Sequence, residues 1–292
     1  MKTIRIGKDR LIGDGCEPFI IAEIGNNHNG DMDIARELIR KAKEAGVDAV
    51  KFQKKDVETA FAPELLDKPY AGPNSFGATY REHKEALELS ADELAELKAL
   101  ADELGLVSFA TPFDIASVEV CEQVGYPLYK VASFHVVRSN LIEAVCQTGK
   151  PILVSVGMSS LDEIDAAVEV LNSHGSEFVL LQCTSSYPTN VEDMHLRVIP
   201  ALRERYGCLV GFSCHESGVS ISPGTVLMGG CVIERHFTLD RTMKGPDHAA
   251  SAEPEGMELL VRRARNYFKA LGSSEKRVLE CEVAARKKFR GA

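Results

Sequence analysis

The chain alternates between short apolar runs and longer amphipathic stretches along its whole length. Segments with helical periodicity lie at 32–45, 91–104, 116–124, 161–173 and 217–228, and Asp31 stands where an N-cap of the first is expected. The apolar runs, rich in Val, Ile and Phe, are typical of buried strands. There are eight of them: residues 19–25, 49–53, 106–111, 128–133, 152–157, 178–184, 209–215 and 231–237.

Eight strand and helix units in alternation predict an α/β fold, a (β/α)8 TIM barrel of parallel strands joined by right-handed crossovers. An open, doubly wound sheet is the alternative. Such sheets usually carry a GxGxxG turn after the first strand, and EIGNNHNG at 23–30 does not fit that pattern. The barrel is therefore favoured.

The chain divides into three predicted parts. Residues 1–18 hold turn signals at Gly7 and at 13–15, which predict an N-terminal hairpin cap. Residues 19–272 form the barrel, and 273–292 form a charged C-terminal tail. Within the barrel, the connection at 54–90 is too long for an ordinary loop, so we expect a lid there.

Composition narrows the possible partners and the compartment. A net charge of −9 argues against nucleic acid and against an anionic membrane surface. The N-terminus has no signal-peptide pattern and no apolar run is long enough to span a membrane, so we expect a cytoplasmic protein. The eight cysteines contain no CxxC pair, which predicts reduced thiols in the core.

Polar side chains collect at the carboxyl ends of the predicted strands. In a TIM barrel these ends and the loops after them build the active face. The residues concerned are Glu23, Lys51, Gln53, Thr111, Lys130, Ser133, His135, Ser155, Ser185, Tyr187, Ser213, His215, Glu234 and His236.

Two histidines end the last two strands with the same inward parity. Ser213 shares a face with His215, and Glu234 with His236. A lone strand-end histidine is more often structural than a metal ligand. A pair aimed into one opening, with a carboxylate such as Glu23 or Asp247 nearby, can hold a divalent ion.

Two lysines inside apolar strands predict an anion site. Lys51 and Lys130 would be surface charges in most proteins, but a buried ammonium needs an anionic partner. Converging hydroxyls complete an anion cradle. Since Lys130 and Ser133 have opposite parity, both face the site only if the fourth strand ends or bulges near Ala132. The other hydroxyls are those of Thr111, Ser155 and Ser213.

Seven segments together resemble the catalytic barrel of the N-acetylneuraminate (sialic acid) synthase family, in order and over essentially the whole chain. The most specific is IERHFTLDRTMKGPDHAASAEP at 233–254. The others are IIAEIGNNHNGD, VKFQK, TYREHKEALELS, YKVAS, LQCTSSYPTN and GFSCHESG.

The resemblance implies a metal-dependent transferase that joins phosphoenolpyruvate to N-acetylmannosamine or a related aldose and releases phosphate. The implied ion is Mn²⁺ or Mg²⁺, or Co²⁺, held by His215 and His236, which with Glu23 and Lys51 form the implied catalytic set. Implied sugar ligands are Gln53, Tyr187 and Asp247, and we expect His135 at the end of the fourth strand to contact the sugar as well. The implied phosphoenolpyruvate ligands are Lys51, Thr111, Lys130, Ser133, Ser155, Ser185 and Ser213.

Two departures from the family pattern bear on the acceptor sugar. His135 stands where many members have an acidic residue. Relatives usually continue into a small antifreeze-like domain that supplies an arginine to the partner's site, and we expect a homodimer without that domain. Two alternatives stay open: a synthase for an unacetylated or phosphorylated hexose, and a catalytically silent sugar-binding barrel.

Overall fold

Eight parallel strands close into a barrel in the computed structural model, which describes residues 1–7 and 10–291. Positions 8 and 9 of the predicted cap and position 292 of the predicted tail lie outside the described residues. The strands run in the order β10-β3-β4-β5-β6-β7-β8-β9 around the barrel. Their bounds are β3 Phe19–Gly25, β4 Ala49–Lys54, β5 Val107–Pro112, β6 Tyr129–Val131, β7 Ile152–Ser155, β8 Phe178–Cys183, β9 Leu209–Cys214 and β10 Val232–His236. The predicted (β/α)8 fold is confirmed.

Helices follow the strands and form the outer layer. Several begin where the sequence supplies a cap: Asp31 accepts from two backbone N–H groups of α1, and Ser90 and Ser160 start capping boxes with Glu93 and Glu163. The helices are α1 Met32–Glu44, α2 Val57–Ala60, α3 Pro63–Leu66, α4 Tyr80–Glu85, α5 Ala91–Glu103, α6 Ile115–Val124, α7 Ser139–Cys146, α8 Leu161–Ser173, α9 Val198–Tyr206, α10 Pro254–Leu271 and α11 Glu280–Arg290.

The predicted hairpin cap is present. Strands β1 (Thr3–Ile6) and β2 (Arg10–Gly13) pair antiparallel, with Thr3 opposite Gly13. Arg10 binds the Asp48 carboxylate at 3.1 Å, just before β4, and Arg203 on α9 binds Asp14 at 2.6 Å. These contacts fasten the hairpin across the amino ends of the barrel strands, opposite the face where the predicted site residues lie.

One predicted helix is wrong in part. The segment 217–228 is helical only from Ser222 to Met228, and there as a 3-10 helix. Gly218 has a φ of +153°, and Pro223 lacks an N–H group, so a regular α-helix cannot run through the segment. The Glu216 carboxylate accepts from the backbone N–H groups of Ile221 and Ser222 instead. Helices α7 and α9 were not predicted.

The long connection at 54–90 is folded. It contains α2, α3 and α4, and its tip contacts the loop after β10: Gly245 N donates to Asn74 Oδ1 at 3.3 Å, and the Lys244 ammonium lies 4.5 Å from the Phe76 ring centre. The segment therefore lies beside the carboxyl ends of the strands. Its action as a lid stays a prediction.

Three further predictions concern the C-terminal tail, the cysteines and membrane-spanning segments. In the predicted tail, α11 is exposed along its length. Six of the eight cysteines are buried thiols as predicted, whereas Cys16 is half-buried and Cys281 exposed. Within residues 1–7 and 10–291, none of the helices has the length and apolar character needed to cross a bilayer.

Gly211 on β9 marks a place where the barrel interior has no room for a side chain. A Cβ there would lie 2.5 Å from the Val232 carbonyl oxygen and 2.7 Å from Leu181. We expect Gly211→Ala to lower the free energy of unfolding by about 1–3 kcal/mol, since backbone must move to accept the methyl group. Urea unfolding measures the change.

The control is Gly224→Ala, where an added Cβ meets nothing within 4 Å. Its free energy of unfolding should stay within about 0.5 kcal/mol of wild type. Equal effects of the two substitutions would contradict the packing argument.

Candidate active site

A pocket of about 300 Å³ opens at the carboxyl ends of the barrel strands. Most of the residues predicted for the site lie in its wall, together with Phe113, Ala132, Phe134, Met158, Cys183 and Glu234, to which the sequence had assigned no role. The predicted residues are Glu23, Lys51, Gln53, Thr111, Lys130, Ser133, Ser155, Ser185, Tyr187, Ser213, His215 and His236.

Strand register brings these residues together. On neighbouring strands, Glu23 pairs with both Lys51 and His236, and Ser213 pairs with Glu234. Side chains of paired residues in parallel strands point to the same face, so two successive levels of the barrel interior present these residues to the pocket.

Lys51 is paired with Glu23 at the floor of the pocket. Its ammonium lies 2.6 Å from Glu23 Oε2 and donates to Thr111 Oγ1 at 2.8 Å. The other carboxylate oxygen of Glu23 accepts from Gln53 Nε2 at 3.0 Å. Both charged side chains are 3% exposed, so each relies on the other for the stabilisation that water would supply.

Glu234 is the buried carboxylate that pairs with the second lysine, Lys130. Its Oε1 lies 2.9 Å from the Lys130 ammonium and 2.9 Å from Ser213 Oγ, and its Oε2 lies 4.0 Å from the Lys51 ammonium. Burial raises the pKa of Glu234, but the two lysines outweigh burial and bring it down to about 2. The carboxylate is therefore ionised throughout the neutral range.

Glu234 is the main site residue that sequence analysis left without a role. Its parity with His236 was the available signal. The structure places its carboxylate between two ammonium groups, those of Lys51 and Lys130.

Hydroxyl groups line the side of the pocket near β6 and β7. Strand β6 ends at Val131 and a 3-10 helix follows at Ser133–His135, so Lys130 and Ser133 both reach the pocket despite their opposite parity. Ser133 Oγ accepts from the Gly157 N–H at 3.0 Å, which leaves its own O–H free to donate. Among the described residues, the buried Ser155 Oγ has no hydrogen-bond partner.

The two histidines stand side by side with ring centres 5.5 Å apart, and the Tyr187 ring lies 3.9 Å from that of His215. His215 Nδ1 lies 3.1 Å from the Thr184 carbonyl oxygen, so Nδ1 carries the proton and Nε2 has the free lone pair. Burial, then the neighbouring His236, lowers the pKa of His215 to about 3. His215 is therefore a neutral imidazole at neutral pH.

His215 and His236 can supply two of the ligands that a divalent ion needs. The buried Nδ1 of His236 has no hydrogen-bond partner among the described residues, and neutral imidazoles are good ligands. Over residues 1–7 and 10–291, no group of three His, Cys, Asp or Glu side chains is placed to hold an ion. The pair therefore fits a site completed by water and substrate oxygens, and Glu23 is occupied by Lys51 and Gln53.

Two predicted sugar ligands lie away from the pocket wall. His135 is 2% exposed and packs edge-on against Phe113 and Phe134, with ring centres 5.2 and 4.2 Å away, and it is these two rings that line the pocket. Burial lowers the pKa of His135 to about 4. Asp247 accepts from Asn26 Nδ2 at 3.1 Å in the layer behind Gln53.

The pairing of Glu234 predicts a pH-dependent stability. Its pKa is about 2 in the folded protein against an ordinary 4.5, so its charge stabilises the fold fully above pH 4.5 and loses that effect as the pH falls through 2. We expect Glu234→Gln to lower the free energy of unfolding by about 2–4 kcal/mol at pH 7, because two buried ammonium groups lose their partner. Urea unfolding at pH 7, 5, 4 and 3 should show the deficit shrinking below pH 5.

The exposed Glu119 provides the control. Glu119→Gln should change stability by less than about 0.5 kcal/mol at every pH. A Glu234→Gln deficit that stays constant from pH 7 to pH 3 would refute the assignment.

Comparison with known proteins agrees with this geometry. A model of the NeuB family matches residues 38–276. Human N-acetylneuraminate-9-phosphate synthase is 41% identical over 281 residues, which cover 96% of this chain and 78% of the human protein. The N,N'-diacetyllegionaminic acid synthase of Legionella pneumophila is 36% identical over 280 residues, covering 94% of this chain and 79% of that protein.

A solved structure is similar over the full length. The N-acetylneuraminic acid (sialic acid) synthetase of Leptospira borgpetersenii, in complex with citrate, superposes with a TM-score of 0.86 at 31% identity, covering 100% of this chain and 98% of that one. The chain therefore belongs to the NeuB family, the family of sialic acid synthases.

Proposed function

We propose that this protein condenses phosphoenolpyruvate with the open-chain aldehyde of N-acetylmannosamine or a related aldose. The products are a sialic-acid-like 3-deoxy-2-keto sugar acid and phosphate. The observation that carries the proposal is the pair of buried ammonium groups, Lys51 and Lys130, beside the imidazoles of His215 and His236 in one pocket. Relatives named as synthases of N-acetylneuraminate 9-phosphate and of diacetyllegionaminic acid support the reaction class.

The lysines retain hydrogen-bonding capacity for phosphoenolpyruvate. An ammonium has three N–H donors. Lys51 uses two, on Glu23 and Thr111, and Lys130 uses one, on Glu234. The remaining donors, with the hydroxyls of Ser133 and Ser155, can bind a phosphate and a carboxylate by charge-assisted hydrogen bonds. This binding would fix the reacting carbon of phosphoenolpyruvate against the aldehyde.

In this proposal Glu23 positions the water molecule that the reaction consumes. In the proposed reaction, C3 of phosphoenolpyruvate attacks the aldehyde carbon, water adds to C2, and phosphate leaves with C–O cleavage. The Glu23 carboxylate is held by Lys51 and Gln53, so it can orient that water and accept its proton without moving. Lys51, already bound to Glu23, couples this step to the bound phosphoenolpyruvate.

His215 and His236 would hold the divalent ion implied by the family. When bound, the ion supplies Lewis-acid polarisation of the aldehyde oxygen. The Thr184 carbonyl fixes the tautomer of His215, and Tyr187 covers its ring. The protein thus presents one imidazole in a single orientation before any ligand arrives.

Phosphate release tests the function. Purified protein is given phosphoenolpyruvate, Mn²⁺ and one of a panel of sugars: N-acetylmannosamine, its 6-phosphate, mannose and arabinose 5-phosphate. We expect sugar-dependent release of phosphate and a product whose mass equals the two substrates plus water minus phosphoric acid. Release with unacetylated aldoses in preference to the acetylated ones would favour the alternative acceptor, and no release with any sugar would favour a silent binding barrel.

The histidine pair predicts metal dependence that can be read without an activity assay. His236→Ala should lose bound Mn²⁺ after dialysis and lower kcat by at least about 100-fold, since one of two strong ligands is gone. Metal content by mass spectrometry measures the first effect. His174→Ala, at an exposed histidine of α8's C-terminus, should change neither. Unchanged metal content in His236→Ala would sink the ligand assignment.

A further inference from the structure

Lys55 is a buried cation just beyond the wall of the active-site pocket. It follows β4 directly, and its side chain is 1% exposed. The ammonium lies 2.8 Å from Glu88 Oε1, 3.3 Å from Asn26 Oδ1 and 3.4 Å from Gln53 Oε1. It also lies 4.9 Å from the ring centre of Phe113, which lines the pocket.

These contacts account for all three donors of the ammonium. Burial lowers the pKa of Lys55, and the Glu88 carboxylate opposes that effect. One N–H therefore satisfies the charge at Glu88, while the other two are directed at amide oxygens. The two amide oxygens, which lie on the pocket side, accept the N–H groups that Glu88 leaves unsatisfied.

The Lys55 ammonium fixes the orientation of the side-chain amides of Gln53 and Asn26. An amide has one accepting end and one donating end, and a cation can bind only the accepting end. With their oxygens turned to Lys55, the NH₂ groups point the other way: Gln53 Nε2 donates to Glu23 Oε1 at 3.0 Å, and Asn26 Nδ2 donates to Asp247 Oδ2 at 3.1 Å. Either amide, if reversed, would place an oxygen against a carboxylate.

We propose that Lys55 is a positioning residue for the acceptor-sugar half of the site, acting through the amide orientations of Gln53 and Asn26. This inference rests on the proposed function, because it takes Gln53 and Asp247 to be on the side of the pocket that receives the sugar. Lys55 itself does not touch the substrate. Its effect is to keep one amide donor on Glu23 and another on Asp247.

The neighbouring residue is a matched control. Lys54 also binds Glu88, at 3.1 Å, but its other hydrogen bond goes to the Leu89 carbonyl oxygen, away from the pocket. Lys54→Met and Lys55→Met each remove one ammonium from Glu88. They differ in that Lys55→Met also releases the two amides.

The first experiment reads amide orientation directly and needs no turnover. Side-chain NH₂ signals of Gln53 and Asn26 are assigned in ¹⁵N-labelled protein with the Gln53→Ala and Asn26→Ala variants. We expect both signals to shift and to exchange faster with solvent in Lys55→Met than in wild type, and to stay in place in Lys54→Met. Unchanged signals in Lys55→Met would overturn the proposal whether or not the protein turns over any sugar.

The second experiment reads the consequence for the reaction. For the sugar that wild type uses best, we expect Lys55→Met to raise the KM for the sugar about three- to tenfold, the effect of losing one hydrogen bond, with the KM for phosphoenolpyruvate within about twofold of wild type. Lys54→Met should leave both KM values within about twofold. Equal rises in both KM values for Lys55→Met would show a general structural role and overturn the proposal.

Two further variants test whether Lys55 acts through Gln53 if Lys55→Met is unstable or has other effects. If Lys55→Met does not fold, Lys55→Gln, which keeps a neutral donor, takes its place, and a smaller rise in the KM for the sugar is expected. In the Gln53→Ala background, Lys55→Met should raise that KM by less than it does alone, because the amide through which it acts is absent. Full additivity would contradict action through Gln53.

Failure of wild type to release phosphate with any sugar would refute the proposed function, and the amide signals would still decide the role of Lys55.

Discussion

The pocket end of the barrel depends on a balance of buried charges. Two ammonium groups and two carboxylates lie within one pocket, and Lys51, Glu23, Lys130 and Glu234 are each at most 5% exposed. A charge moved from water into such surroundings costs several kcal/mol unless an opposite charge and hydrogen bonds replace the solvent. Neighbouring hydroxyl groups supply such hydrogen bonds: Thr111 accepts from Lys51, and Ser213 donates to Glu234.

The closed parallel barrel is what makes this balance possible. Each charged side chain lies on a different strand, and the register sets Glu23 beside Lys51 without any movement of the backbone. Side chains from opposite sides of the barrel also meet in its interior: Lys130 on β6 and Glu234 on β10, four strands apart in the barrel, are separated by 104 positions in the chain. The same arrangement brings the two histidines of β9's end and β10 next to each other. The preorganisation of the site is thus a property of the barrel, and the loop after β8 adds Ser185 and Tyr187 to the pocket wall.

A second layer of polar groups supports the pocket from outside. Asn26 and Asp247 come from the loops after the first and last barrel strands, and Lys55 and Glu88 lie at the two ends of the long connection after β4. These loops therefore meet through buried hydrogen bonds, although none of the four residues lines the pocket. The folded connection at 54–90 is held near the site by this layer and by its contacts with the loop at 244–245.

The sequence by itself determined the fold class and most of the pocket. Continuous apolar runs and the parity of strand-end polar residues are local signals. Barrel geometry sends the carboxyl ends of all parallel strands to one face, so Lys51, Lys130 and His215 could be assigned to one site before their distances were known. The 3-10 segment in place of a helix at 217–228 was less accessible, because it depends on the buried Glu216 carboxylate binding backbone N–H groups five and six residues later.

Only the tertiary structure decided which side chains form ion pairs and hydrogen bonds with each other. Sequence parity put Glu234 on the same face as His236 but could not show that its partners are lysines on other strands. It placed His135 at a strand end, while the 3-10 turn after β6 rotates that ring behind Phe113 and Phe134. Gln53 is two residues from Lys55, but the other partners, Asn26 and Glu88, lie 29 residues before it and 33 after it, so no local pattern indicated the position of Lys55. Pairings between residues distant in the chain depend on register and loop packing, which side-chain periodicity does not encode.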